Sequence, residues 1–126
     1  MSNKGTIAKN VIVTPLERLE GLEIKRYIGF VLGSAVYELD IAEAIRMSVR
    51  SKKKREETIS NALRKLRRRA IEALKENAHK MGANAVVGVR IHTWSPARHV
   101  FEAYSYGTAV EVEISSSGSR KKAGRR

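Results

Sequence analysis

The chain contains no cysteine, and this absence removes whole classes of site. Disulfide bridges and thiolate metal centres are excluded, which fits a reducing compartment. Long hydrophobic runs are also missing, because no stretch approaches the ~20 apolar residues that cross a bilayer. The opening residues, MSNKGTIAKN, are too polar for a signal peptide. We therefore expect a soluble cytoplasmic protein with no membrane partner.

Acidic residues are scarce relative to basic ones. Among 126 residues, Lys and Arg number 25 and Asp and Glu 13, so the formal net charge is +12. The excess lies mainly in residues 46–69 and in the tail, 119–126. Such a stripe is typical of proteins that bind nucleic acid or another polyanion, although a solvated helix face has the same composition. The candidate contact residues are Lys52, Lys53, Lys54, Arg55, Arg64 and Arg68.

Alternating apolar residues predict a short strand at VIVTP (11–15) and a longer strand over residues 22–36. In the second half of the longer strand both faces are apolar. A one-layer sheet cannot cover both of its faces by itself, so we expect Tyr27, Val31 and Ala35 to contact another subunit. The opposite face of this strand is predicted to carry Leu22, Ile24, Ile28, Phe30, Leu32 and Val36.

Two helices are predicted after this strand. Asp40, with Glu43 three residues later, is a variant of the capping box, and it opens a short helix with an apolar stripe. A long helix is predicted over residues 56–81, where apolar residues recur at spacings of three and four. Gly82 directly follows it and has the position of a C-cap glycine. The short stripe consists of Ile41, Ile45 and Val49, and the long one of Ile59, Leu63, Leu66, Ala70, Leu74, Ala78 and Met81.

The end of the chain reads as a hairpin. Residues 85–94 predict a buried strand in which Gly88 marks close packing, residues 95–98 a turn, and residues 99–114 a returning strand. One face of the returning strand is small enough for another backbone to approach, and we expect that face in an oligomer interface. Its members are Ala103, Gly107 and Ala109. The whole pattern predicts an α+β domain, with a small antiparallel sheet crossed by one long helix.

No pattern in the sequence indicates an enzyme. There is no serine in a G-x-S-x-G elbow, and no cysteine nucleophile. The glycines of MGANAVVG (81–88) run from helix into strand, whereas a phosphate cradle needs a strand that leads into a helix. We therefore expect no catalytic residues and no enzymatic activity.

Two histidines could hold a metal ion. If the hairpin turned on Ser95 and Pro96, His92 and His99 would face each other across the ladder, with Cβ atoms roughly 5 Å apart. Glu102 could then be a third ligand. A four-residue loop would instead pair His92 with Phe101, and two solvated histidines at a hairpin tip would need no metal. The ligand spacing alone does not support a divalent metal cofactor.

The chain resembles the YbjQ-like family, small proteins labelled "putative heavy-metal-binding". The matching stretches are VIVTP, GLEIKRYIGFVLGSAV, MGANAVVGVRI and AYSYGTAVEVE, which span roughly residues 10–114. The resemblance implies a dodecin-like subunit that assembles into a ring of identical copies, with five as the expected number. The basic segment SVRSKKKREETIS and the basic tail depart from the family pattern.

These observations predict one domain over residues 10–114, between a flexible segment at 1–9 and a disordered basic tail at 115–126. The first functional hypothesis is a non-enzymatic homo-oligomer that resembles putative heavy-metal-binding proteins. The alternative is a basic ring that binds nucleic acid through residues 46–69 and the tail.

Overall fold

A computed structural model describes residues 10–114, and the predicted segments at 1–9 and 115–126 lie outside the described residues. Strands β1 (Ile12–Val13) and β2 (Leu22–Glu38) are followed by helices α1 (Ile41–Ser48) and α2 (Lys52–Lys80), then by strands β3 (Ala85–Ala97) and β4 (Val100–Ile114). The strands form one sheet in the order β1-β3-β4-β2. The predicted α+β class is confirmed.

The sheet is mixed rather than purely antiparallel. β4 pairs antiparallel with β3, as the predicted hairpin requires, and also with β2, but β1 pairs parallel with β3 through Ile12 and Ala85. The helices carry the chain back along the sheet after β2, so β3 runs in the same direction as β2, and β1 also runs in that direction. No helix within residues 10–114 is both long enough and apolar enough to span a bilayer.

Helix α2 lies on one face of the sheet and begins earlier than predicted. The predicted start at residue 56 was wrong by four residues. The apolar stripe begins only at Ile59, but the Ser51 hydroxyl caps the helix by accepting a hydrogen bond from the Lys54 amide at 3.2 Å. The predicted end is confirmed: the helix stops at Lys80, and Gly82 has a φ of +92°. The side chains of α2 buried against the sheet are Leu66, Ala70, Leu74 and Ala78.

The helix sits on small residues of β2 and β4. A Cβ added to Gly33 would overlap the Leu74 backbone nitrogen and lie 2.7 Å from the Ala70 carbonyl oxygen. Beside it, the buried Ser105 hydroxyl lies 3.0 Å from the Ala70 oxygen, close enough to donate to it. The two backbones therefore approach closely enough for a side-chain hydroxyl to bridge strand and helix.

Most of the residues predicted to contact another subunit lie under this helix, and that prediction is corrected. Ala103 packs against Leu66 and Ala70, and Ala109 is buried in the cluster formed with Leu74 and Ala78. Five of the six residues predicted to contact another subunit face the inside of this one: Val31, Ala35, Ala103, Gly107 and Ala109. The small residues do permit a close approach, but the chain's own helix makes it. Tyr27 is exposed.

Two bulges alter which residues of β2 share a face. The register with β4 shifts between Ile24 and Arg26 and again between Tyr27 and Gly29. Each shift inserts an extra residue and reverses the alternation that follows. Ile28 therefore packs with the core beneath α2, and its predicted place beside Phe30 and Leu32 was wrong.

The hairpin turns later than predicted. β3 continues through Ser95 and Pro96, and the turn consists of Arg98 and His99, the latter with a φ of +62°. Proline is tolerated because β1 pairs only with the first residues of β3, so that part of β3 has a free edge. Gly88 also differs from its prediction. A Cβ there would meet nothing within 4 Å, and its φ of +63° within a bulge is what requires glycine.

Candidate functional site: the open sheet face and the basic helix

One half of the sheet is left uncovered on the face opposite α2. The loop between β1 and β2 covers the other half, where Leu19 packs against Val110 and Val112. From Tyr106 toward the turn between β3 and β4, no helix or strand of residues 10–114 covers this face of the sheet. We call the uncovered region the open face, and its residues are Phe30, Leu32, Ser34, Val36, Arg90, His92, Trp94, Glu102, Tyr104 and Tyr106.

Large apolar side chains dominate the open face. Phe30 is 67% exposed, Leu32 46%, Val36 51% and Trp94 53%. The register of the strands places Leu32 beside Tyr106, and Tyr106 beside Arg90 on its other side. Single exposed apolar residues are ordinary, but a contiguous patch on a sheet marks a surface that another molecule covers.

The rings on the open face are ordered by mutual contact. The His92 ring lies 5.4 Å from that of Tyr104 and 5.8 Å from that of Tyr106, with an interplanar angle of 9° for the latter pair. Phe30 extends the cluster, since its centroid is 6.0 Å from Tyr106. Stacked rings lose little conformational entropy when a partner covers them, so this cluster is suited to forming a contact.

The polar groups of the open face are few and balanced. The Trp94 indole N–H donates to the Glu102 carboxylate at 2.7 Å, and the His92 Nε2 atom lies 3.4 Å from the Tyr106 hydroxyl. Arg90 supplies one positive charge and Glu102 one negative charge. The open face is thus close to neutral in a chain whose formal net charge is +12.

The structure does not bring the predicted metal ligands together. His92 lies opposite Tyr104 in the ladder. His99 lies in the turn, five residues before Tyr104 in the sequence. At about 3.3 Å per residue the two are well over 10 Å apart along the hairpin. Glu102, the suggested third ligand, is hydrogen-bonded to Trp94. Within residues 10–114 no group of three or more His, Asp or Glu side chains is placed to hold a metal ion.

The basic residues form a second surface on the N-terminal half of α2. Lys52, Lys53, Lys54, Arg64 and Arg68 are exposed, whereas Arg55 is half-buried and donates to the backbone oxygen of Arg50. Arg64 donates to the Asn61 side chain at 2.8 Å. The ion pairs of the described residues involve Lys25, Arg26, Arg46 and Lys75. None of the six candidate contact residues pairs with a carboxylate of residues 10–114.

A groove of about 350 Å³ runs along one flank of this helix. Its floor is apolar, with Leu66 and the Tyr37 ring, and Lys65 and Arg69 stand at its edge. Burial raises the pKa of the Tyr37 phenol, and the negative charges of Glu43 and Asp40 raise that pKa further. Tyr37 therefore stays protonated at neutral pH and contributes no negative charge to the groove.

Helix α1 was predicted correctly in position, but its apolar stripe has an unexpected environment. The Asp40 carboxylate caps it by accepting from the Glu43 amide at 2.7 Å. The stripe faces solvent: Ile41 is 79% exposed, Ile45 61% and Val49 82%. Sequence periodicity identifies a stripe but does not reveal whether the same subunit covers it.

Known proteins with similar sequences identify the family of the chain. A family model described as "putative heavy-metal-binding", YbjQ, matches residues 11–113. The UPF0145 protein of Hahella chejuensis is 34% identical over 82% of this chain and all of its own length, and that of Methanosarcina acetivorans is 34% identical over 81% and 97%. The crystal structure of a protein with unknown function from Pediococcus pentosaceus, of the DUF74 family, is similar at a TM-score of 0.48 and 14% identity, covering 82% of this chain and 98% of its own.

The match extends over nearly all the described residues, from the start of β1 to the end of β4. It includes the glycine stop after α2 and the Tyr-Gly-Thr-Ala-Val segment of β4. The chain belongs to the YbjQ-like family, also called UPF0145, whose description is putative heavy-metal-binding.

Proposed function

We propose that this chain is the subunit of a non-enzymatic homo-oligomer in which the open face is covered by a second copy. The observation that carries the proposal is the contiguous apolar and aromatic surface around Leu32, Tyr106 and Trp94. Removing such a surface from water contributes about 25 cal/mol per Å² of apolar area, which makes self-association favourable. The family resemblance suggests five copies.

The charge distribution favours a second copy over nucleic acid on this face. A nucleic-acid surface places cations beside its stacking aromatics, so that phosphates and bases are held together. Here the exposed cations belong to α2, which covers one face of the sheet, whereas the rings lie on the other face. The positive charge of Arg90 is matched by the negative charge of Glu102. A neutral aromatic surface in a basic chain is suited to contact between copies, because it brings no like charges together.

The molar mass in solution tests this proposal. We expect light scattering on untagged protein at micromolar concentration to give a multiple of the 14.1 kDa of one chain, with five copies as the expected multiple. Salt screens charge interactions but does not weaken hydrophobic association, so the oligomer should persist when the salt concentration is raised. A mass of one chain throughout the concentration series contradicts the proposal.

A second candidate function is polyanion binding through the N-terminal half of α2. The observation that favours it is the set of exposed cations without carboxylate partners in residues 10–114, beginning with Lys52, Lys53 and Lys54. Unpaired cations release condensed counterions from a nucleic acid when they bind it, which favours association. An oligomer would repeat this surface in every subunit and strengthen binding through avidity.

Salt dependence separates a defined polyanion surface from general attraction. Replacing Lys52, Lys53 and Lys54 with Gln should lower the slope of log affinity against log salt for duplex DNA by about 1 to about 3, since each phosphate contact contributes about 0.9. Fluorescence anisotropy from about 50 to about 200 mM salt measures it. The matched control replaces Lys25, Arg26 and Lys75, which removes the same charge from cations already paired. Equal slopes for the two variants would leave only nonspecific attraction.

A further inference from the structure

Helix α1 makes little use of its apolar residues within its own subunit. Of residues 41–48 only Met47 is buried, and α1 shares no extensive packing with any helix or strand of residues 10–114. Helices this short are not stable in water on their own. Local hydrogen bonds hold the ends of α1, including the Asp40 cap and the contact of Arg50 with Thr58. The stripe of Ile41, Ile45 and Val49 is left without a partner in the subunit.

The subunit therefore has two unpartnered apolar surfaces with different shapes. The α1 stripe is a narrow ridge, and the open face is a flat sheet surface. A helix laid on a sheet face is the standard way in which two such surfaces bury each other. Both surfaces are also nearly neutral, since α1 carries Glu43 paired with Arg46 at 3.6 Å and the open face carries Arg90 and Glu102.

The ridge and the face of the same copy cannot meet. Two residues connect β2 to α1 and three connect α1 to α2, while α2 lies on the covered side of the sheet. The amide of Leu39 also donates to the carbonyl oxygen of His99 at 2.8 Å, which fixes this connection at the hairpin end. Because α1 is held between the end of β2 and the start of α2, it cannot reach across Leu32 in its own sheet.

We propose that the α1 stripe of each subunit docks on the open face of a neighbouring copy. This inference rests on the proposed homo-oligomer and specifies how its subunits meet. The contact is heterologous, because a different surface of each copy takes part. A heterologous contact repeats from copy to copy and closes into a ring when the rotation allows, whereas open faces packed against each other would stop at a dimer.

Cysteine cross-linking tests this arrangement directly, because the native chain has no cysteine. The double variant Leu32→Cys with Ile45→Cys, treated with a short bismaleimide, should give a ladder of covalent dimers, trimers and higher species on a denaturing gel. Each single variant should remain monomeric on that gel. A second pair, Val36→Cys with Ile41→Cys, tests a position of α1 that is shifted along the open face of the neighbouring copy. A ladder from either pair supports the proposal.

The control pairs Leu32→Cys with Glu72→Cys, which places the second thiol on the exposed side of α2, and no ladder is expected. Dimers from Leu32→Cys alone would show that open faces pack against each other and would overturn the heterologous contact. An oligomer with native mass but no ladder from either pair overturns it as well, while leaving the homo-oligomer intact. A monomeric native chain removes the homo-oligomer and this contact together.

Discussion

Replacing Leu32 with Glu is expected to reduce the oligomer to single chains while the subunit stays folded. Leu32 lies near the centre of the open face, beside Tyr106, and its side chain makes no contribution to the core beneath α2. A carboxylate there would lose its hydration without gaining a partner when a second copy covers it. Loss of a central apolar contact costs about 2 kcal/mol or more, which raises the dissociation constant of each contact about 30-fold or more.

Light scattering measures the mass of the Leu32→Glu variant, and far-ultraviolet circular dichroism shows whether its helices persist. The matched control is Leu16→Glu, the same chemical change at a side chain that is 64% exposed in the loop before β2. Leu16 lies outside the open face, so its variant should keep the native mass. A Leu32→Glu variant that also keeps the native mass, with normal circular dichroism, would show that the open face is not the contact between copies.

This prediction depends on a feature that sequence alone assigned to the wrong side. Alternation correctly showed that β2 is apolar on both faces, which required a second covering layer. Alternation does not identify which face the chain's own helix takes. The glycine and alanine positions answer that question, since Gly33 and Ala103 allow the close approach of α2. The larger side chains, Phe30 and Leu32, consequently lie on the other face, where they are exposed.

Local chemistry could be predicted from the sequence where one residue type determines the backbone. Gly82 ended α2 as expected, and Asp40 capped α1, because each acts through its own φ or its own carboxylate. The first bulge of β2 had no such signal, whereas the second ends at Gly29, whose φ is +154°. The predicted alternation ran through this glycine without a break, so Ile28 was placed on the wrong face. The hairpin turn was misplaced because Pro96 suggested a turn, although proline is also tolerated at a free strand edge.

The misplaced turn also explains why the histidine pair failed as a metal site. A shift of the turn from residues 95–96 to Arg98 and His99 changes every pairing along the hairpin, and it places Tyr104 opposite His92. The His92 ring then joins an aromatic cluster instead of facing a second imidazole. Register determines here whether the same side chain is a candidate ligand or part of an exposed aromatic cluster.

Replacing Gly33 with Ala should destabilise the subunit by about 3 kcal/mol, the upper end of the usual cost of overpacking and the largest effect on folding that we expect from a single methyl group. The added Cβ would overlap the Leu74 backbone nitrogen and lie 2.6 Å from the Leu74 Cα, and backbone atoms cannot rotate away as a flexible side chain would. Helix α2 would have to lift from β2, which would also break the hydrogen bonding of Ser105 to the Ala70 oxygen.

Urea unfolding followed by circular dichroism at a fixed protein concentration measures this loss, and Gly82→Ala is the matched control. Gly82 has a φ of +92° but no atom within 4 Å of an added Cβ, so alanine there introduces backbone strain alone, about 1 kcal/mol. The difference between the two variants isolates the steric contact of β2 with α2. Equal losses would mean that α2 is not seated on Gly33, and the open face would then no longer be the side of the sheet left for a second copy.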